Sequence, residues 1–552
     1  MATIADEAAQ PNPYLKPDGT LGSRTAWYAL TLVVLMQAMS MVDRQVLSIV
    51  LPRIKADLHV GDAEMGLLYG TVFALFYALF SLPLGRLADG WTRTKLLSLS
   101  LFAWSFFTGL SGLARGFGLL AISRLGVGIG EAASQPAGLS LLSDAFPREK
   151  RGMVGAAFAI GVALGLGAAL TIGGSIADWW DGAYPKGTSA PLGLVGWQAA
   201  FIGSALPGIV LAALISRLPE PVRGAADGIV SPPDPAPFAA AGNVLAAILP
   251  IGVWLNFIRK RATATDWLIN LIGLAVIAGA GIWLTHFTNS LRAVNPIAIP
   301  VGNGGLTGNA VQWLVSGFGF YVLLNWFQSL KLGDRPAYAT IVKSPATILV
   351  ILTASVQTML NYSVMGFTPS YLIRHFHQTA TEVGLIFGPF IAALGIAGPL
   401  IAGPLSDWGE KRMPGGRLMI TFVSLIVSPL CAIMVYTTQN LTTFFAWFTL
   451  FSLATTMWLP PIYASLLELV LPRMRGMVVS FYILSITIIG QGTGPYIVGL
   501  ISDRNGGDIA HGILSLYWVA IPILVLAALA VWRYRIDRPQ VLERARAAGE
   551  PV

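Results

Sequence analysis

Four charged side chains stand in stretches that are otherwise apolar. Asp43 and Arg44 are neighbours in MSMVDRQVLS, residues 39–48, and Arg124 and Glu131 lie in ISRLGVGIGEAASQP, residues 122–136. A charge at the centre of a membrane helix costs about 2.5–3.5 kcal/mol on insertion scales, so such residues face polar cavities or partners and mark ion and proton pathways. A carboxylate placed there takes up and releases protons. A guanidinium supplies its counter-charge or holds an anion. Neighbours along a helix point about 100° apart, so Asp43 and Arg44 do not simply pair face to face. Glu131 is the opposite charge available to Arg44, which leaves Asp43 as a titratable group on a cavity wall. Arg124 and Glu131 are seven residues apart, about 20° short of two full turns, and share one helix face. The competing reading has Asp43 and Arg44 snorkelling to a membrane interface.

Neutral polar residues add a second set. Gln357 and Asn361 are four apart, hence on one face, and Gln491 lies in IIGQGTGP. They either line a cavity with hydrogen bonds or join helices to one another. A cavity so poor in cationic groups suits an amphiphile better than a multiply charged metabolite. The histidines, His59, His286, His375, His377 and His511, fall near expected helix ends or loops, and none forms a helical His-x-x-x-His pair. No metal or other cofactor is expected, and no nucleophile–base set points to an enzyme. Gly126-x-Gly128-x-Gly130 has the look of a dinucleotide-binding turn, but that turn needs a preceding strand in a βαβ unit. Between membrane helices, glycines at this spacing favour close helix packing.

The elements that must position these residues follow from composition. The chain has 552 residues, 55% hydrophobic and 11% charged, against about 25% charged in soluble domains. It is read as an all-α polytopic membrane protein. The net charge of +8 falls in short loops, where it sets orientation rather than binding nucleic acid. A bilayer core takes about 20 apolar residues per helix. Six such runs lie near 25–50, 64–84, 95–115, 118–143, 151–178 and 198–217, and six more near 346–373, 380–404, 416–437, 442–469, 474–500 and 513–532. Basic residues cluster on alternate loops of each set, which puts those loops and both termini in the cytoplasm. Residues 1–24 read as a disordered tail and 533–552 as a basic tail. The lone cysteine, Cys431, excludes a disulfide within the chain.

The two sets also repeat in sequence. SLLSDAFPREKRGMV (140–154) matches SLLELVLPRMRGMV (465–478) with one deletion, and GRLADGWTR (85–93) is echoed by GPLSDWGEKR (403–412). Two bundles, 25–217 and 346–532, are therefore expected with pseudo-twofold symmetry around a midplane site, as in many secondary transporters. Residues 218–345 are too long for a simple linker. The stretch 238–258, which contains Pro250, reads as an interfacial or re-entrant helix, and 267–287 and 309–330 as an inserted spanning pair. The total is about fourteen spanning helices. The connection NPIAIPVGNGGLTGN, with Asn303, reads as an external Pro/Gly loop.

GRLADGWTR resembles the signature between helices 2 and 3 of the major facilitator superfamily. Its matching residues are Gly85, Asp89 and Arg93, with Gly403, Asp407 and Arg412 in the echo; Trp91 stands where glycine is common. Physically, Gly85 would allow close helix approach, and Asp89 could stabilise a helix N-terminus. The resemblance implies that Asp89 latches the cytoplasmic gate at the start of the eleventh helix, near Met474, with Asp407 doing the same near Glu149. Arg124 resembles the fourth-helix arginine associated with proton coupling in many members. Asp43-Arg44, Glu131, FPREKRG (146–152) and RLPEPVRG (217–224) together resemble the Spinster family of that superfamily. This implies alternating access in a cell membrane, with Asp43 as proton acceptor, Arg44 as its charge partner or substrate contact, and Glu131 as second carboxylate. Its implied cargo is a lysolipid- or sphingolipid-like amphiphile, carried by a monomer and coupled to protons. Two rival readings stand beside it: an organic anion symporter using Arg44 and Arg124, and a membrane receptor or scaffold that transports nothing.

Overall fold

The computed structural model describes residues 13–147, 150–185, 189–223, 234–301, 304–471 and 474–550. The first bundle comprises α1 (Arg24–Leu58), α2 (Asp62–Gly90), α3 (Arg93–Ser111), α4 (Phe117–Ala145), α5 (Arg151–Ala183) and α6 (Gly196–Ile215). The central segment holds α7 (Pro237–Ile248), α8 (Pro250–Arg259), α9 (Ala264–Ser290), the strands β1 (Ile297–Val301) and β2 (Gly304–Thr307), α10 (Gly308–Gly333) and the short α11 (Arg335–Ile341). The second bundle comprises α12 (Pro345–His375), α13 (Ala380–Arg412), α14 (Gly416–Thr437), α15 (Leu441–Glu468), α16 (Arg475–Arg504) and α17 (Ile509–Asp537), followed by α18 (Val541–Ala547). Among the described residues, thirteen helices are long and apolar enough to cross a membrane. The more polar α3, 19 residues long, reaches about 28 Å, close to the bilayer core, and packs between α4 and α6.

Three segments carry more structure than their sequence announces. The chain before α1 is ordered from residue 13: Tyr14 is fully buried and donates to the Pro219 carbonyl at 2.7 Å, while Ser23 caps α1. The basic tail likewise continues as α17 and α18, joined by the Arg544–Asp537 ion pair at 3.3 Å. The connection between α9 and α10 is an antiparallel β-ribbon, not an irregular loop; Asn303 lies outside the described residues.

The stretch 238–258 is broken: α7 and α8 meet at 97° across Leu249. Pro250 has no N–H to continue the ladder, and its ring blocks the preceding turn. The carbonyls freed there find partners on α10. Ser329 Oγ donates to Ala247 O at 2.8 Å, and Asn325 Nδ2 donates to Ile248 O at 3.0 Å. Asn270 of α9 holds the same region together, donating to Asn325 and Gln328 and accepting from Trp254 and Tyr321. Most of α9 is otherwise exposed, with 6% of its apolar span buried.

The bundles touch most closely along two helix pairs, with α12 also against α1 and α2. α5 meets α13 through Gly167, Gly174, Gly384 and Gly388, where an added methyl would press on the facing backbone. α2 meets α16 through Gly66, Gly70 and Gly499 in the same way. Small residues permit such close approach. Both helices of the second pair loosen into π-helical turns, Leu68–Val72 and Ile486–Gln491, where they face each other. Polar contacts between the bundles gather at the end away from the termini. Asp503 accepts from the backbone N–H groups of Asp62 and Ala63 at 2.8 and 3.0 Å; Asp62 takes Arg374 at 2.9 Å and Ser502 at 2.9 Å. At the end bearing the termini, no hydrogen bond or ion pair joins the two bundles among the described residues.

Candidate functional site

α1, α2, α4 and α12 converge midway between the two ends. Glu131 is fully buried, and its Oε2 accepts from Arg44 Nε at 2.7 Å and from Ser40 Oγ at 2.9 Å. Ser40 and Arg44 are one helical turn apart on α1, so the two donors approach one carboxylate oxygen from one face. The Arg44 guanidinium lies 4.7 Å from the Phe73 ring centroid and 4.5 Å from that of Tyr77. Such cation–π contacts strengthen when desolvated. Tyr362 of the second bundle stands beside the same guanidinium and packs on Tyr69 at 5.3 Å. Tyr69 in turn exchanges hydrogen bonds with Gln45 at 2.9 and 3.2 Å.

Asp43 points elsewhere, as the 100° step requires. It is 0% exposed, and neither carboxylate oxygen has a hydrogen-bond partner among the described residues. Its polar neighbours are Thr108 and Trp104 of α3, whose Oγ1 and Nε1 also lack partners; Arg124 and Glu131 are the charges that act on it. Arg124 donates from Nη1 to the Asp43 backbone carbonyl at 2.7 Å, not to its carboxylate, and lies 5.1 Å from the Phe201 ring. Its Nε is unpartnered. Buried Asp43, Glu131 and Arg124 and partly buried Arg44 therefore form one cluster, and among the described residues the Asp43 carboxylate has no hydrogen bond. Low local dielectric makes such an unpaired group costly, so a small shift of Thr108, Trp104 or Arg124, or a proton, changes the site's energy appreciably.

Gly126, Gly128 and Gly130 bring this cluster together. A methyl at Gly128 would collide with the Phe73 carbonyl, and methyls at Gly126 and Gly130 with Phe107 and the Trp104 backbone. The glycines let α4 approach α2 and α3, which brings Arg124 and Glu131 to α1.

The second bundle contributes neutral groups. Gln357 Nε2 donates to Ser424 at 3.0 Å, and its Oε1 is buried without a partner. Asn361 donates to Thr455 O at 3.0 Å and accepts from Thr455 Oγ1 at 2.6 Å. Gln491 falls in the π-helical turn of α16, which packs on α12, and its carbonyl abuts Gly70.

The signature residues sit at the end bearing the termini. Arg93 is 1% exposed, bonded to Glu220 at 2.7 Å, Asp144 at 2.5 Å, Ser140 and Pro221. It is a clamp within the first bundle. Its counterpart in the second bundle is Arg417, on Glu468 at 2.7 Å and Asp407 at 3.3 Å, rather than Arg412, which lies over Trp408. Asp89 has Arg86, Arg93 and Arg223 around it, and in this conformation makes no bond to α16 among the described residues. Glu149, placed opposite Asp407 on sequence grounds, lies outside the described residues. Gly85 is no close contact here: an added methyl would meet Pro136 at an ordinary 3.8 Å, and at Gly403 it would meet nothing. Trp91 ends α2 in an extended conformation and packs on Phe238 of α7.

The sequence profile of the Major Facilitator Superfamily matches residues 33–356 and 350–551. The chain belongs to the major facilitator superfamily. An MFS-type efflux pump of Mycolicibacterium smegmatis is 24% identical over 531 residues, which is 95% of this chain and 96% of that protein. A probable L-galactonate transporter of Escherichia coli is 28% identical over 326 residues, 54% of this chain and 66% of that one. The inward-facing, unoccupied crystal structure of a bacterial homologue of the human lysosomal transporter Spinster shares the fold, with TM-score 0.65 and 22% identity over 95% of this chain and 99% of that one. The protein is thus a multi-pass membrane transporter and not an enzyme, with the superfamily's two bundles and an inserted helix pair between them. Sequence reasoning missed Ser40, Tyr69, Tyr77, Tyr362, Trp104 and Thr108. A serine or an aromatic residue in a membrane helix carries no signal by itself, and only the partner it meets singles it out.

Proposed function

We propose that this protein is a proton-coupled secondary transporter of an amphiphilic organic substrate, working by alternating access. The observation that carries the reading is Asp43: a wholly buried carboxyl without a hydrogen bond among the described residues, next in sequence to Arg44, which bonds Glu131 and stands beside Tyr362 of the second bundle. Ionised, Asp43 attracts the Arg124 guanidinium, whose Nε is free. Protonated, it releases Arg124 to compete with Arg44 for Glu131. A proton shifts the gate only if it binds the two states differently, and rearrangement of this four-charge cluster supplies the difference. The basic loops support a cytoplasmic position for the end bearing the termini. The conformation described is then open inward and closed outward, at the Asp62–Asp503 contact.

The lining supports the substrate class. Charge comes from the first bundle, and uncharged Tyr362, Gln357, Asn361 and Thr455 from the second. A lysolipid-like molecule would set its headgroup by Arg44 and its chain along the uncharged side. A second reading, an organic anion symporter holding a carboxylate on Arg44, draws on the relatives named as sugar-acid transporters. Mass spectrometry of protein purified gently from its own membrane separates the two. A retained single-chain amphiphile, displaced by added lysolipid, is the expected result. A polar carboxylate in its place would overturn the lipid reading.

A further inference from the structure

The inserted pair α9–α10 grips both bundles at the closed end. Arg292, just after α9, forms a two-pronged bond to Glu64 of α2, Nη1–Oε1 at 2.7 Å and Nη2–Oε2 at 3.0 Å. The same Nη2 reaches Asp503 of α16 at 3.1 Å. Arg292 is 6% exposed and Glu64 1%, so the contact is desolvated. Forked recognition of carboxylates is the strong, directional form of such bonds. Gln312 of α10 repeats the grip deeper in the molecule. Its Oε1 accepts from Thr71 of α2 at 2.6 Å, and its Nε2 donates to the Gly492 carbonyl of α16 at 3.1 Å. Gly492 directly follows the π-helical turn of α16, and Thr71 lies in that of α2. Thr71 Oγ1 also reaches the same Gly492 carbonyl, so Gln312 completes a three-way knot of α2, α10 and α16 beside the two π-helical turns. Asn309 adds a third tie, accepting from Tyr496 at 2.8 Å.

We infer that the insert is a working part of the gate: Arg292 and Gln312 are positioning residues that bolt α2 to α16 and hold that end shut. α2 and α16 cannot separate there without each of these side chains giving up one of its two partners. A helix pair that only anchored the protein in lipid would need to touch one bundle. This one places a bifunctional side chain across the seam at two depths.

The inference rests on the alternating-access reading, and one experiment distinguishes the two. Nitroxide labels at Ala56→Cys and Asn505→Cys, in a Cys431→Ser background, report the width of this end by pulsed electron resonance in lipid nanodiscs. The unaltered protein should show a majority short distance and a minority long one. Arg292→Gln and, separately, Gln312→Val should raise the long-to-short ratio at least about tenfold, within the usual range of coupling between sites. Lys331→Gln, which breaks the Asp266 ion pair inside the insert, should leave the ratio unchanged. Unchanged ratios in both Arg292→Gln and Gln312→Val, with folding intact, would overturn the role of the insert. A single invariant distance in every protein at every pH would instead overturn alternating access.

Discussion

Glu131 and Arg44 are the one ion pair at the centre of the molecule whose partners were each legible in the sequence, because a charge in an apolar run is conspicuous. Their 2.7 Å contact also explains why adjacency mattered: Asp43, pointing about 100° away, is left without that partner. Removing one partner of a buried pair costs about 3–5 kcal/mol, because the other charge is stranded. Glu131→Gln should therefore lower the denaturation midpoint strongly, and Arg44→Gln/Glu131→Gln should regain at least half of the loss while transport stays absent. Denaturant unfolding of the three variants in detergent checks this; strictly additive losses would contradict it. The remaining members of the site were not legible. Arg292 and Glu64 are 228 positions apart, and nothing local to either announces the other.

At the scale of elements, the sequence was read most securely where a helix repeats a simple rule. The apolar runs coincide with the spanning helices, and the glycines of α4 do serve packing. It was read least well where side chains from elsewhere rescue the backbone. The 97° break at Pro250 survives because Asn325 and Ser329 take the freed carbonyls, and the β-ribbon emerged where only a loop was expected. Gly85 shows the opposite failure: a glycine in a helix suggests close contact, yet here it has space. Two glycines thus predict opposite outcomes. Gly128→Ala presses on the Phe73 carbonyl and should cost about 1–3 kcal/mol, the usual penalty of overpacking. Gly403→Ala meets open space and should be neutral or stabilising by roughly 0.5–1 kcal/mol, the helix preference for alanine. Thermal unfolding followed by size-exclusion fluorescence orders them; equal stability of the two would contradict the packing account.

At the scale of the whole molecule, the two bundles meet through α5 on α13, α2 on α16, α12 on α1 and α2, and a charged seam at one end tied by a third body, the insert. The duplication was visible in the loops, but which end is shut was not, because that depends on pairings between residues hundreds of positions apart, such as Asp62 with Ser502 and Arg374. In the proposed mechanism the four-charge cluster reaches the second bundle through Arg44 and Tyr362, which couples its protonation to the gate. The most direct measurement is transport of a fluorescent lysophospholipid in proteoliposomes carrying Asp43→Asn. The account predicts that a pH gradient drives net movement in the unaltered protein and none in Asp43→Asn, while lipid exchange without a gradient persists in both. Full gradient-driven movement in Asp43→Asn would contradict it.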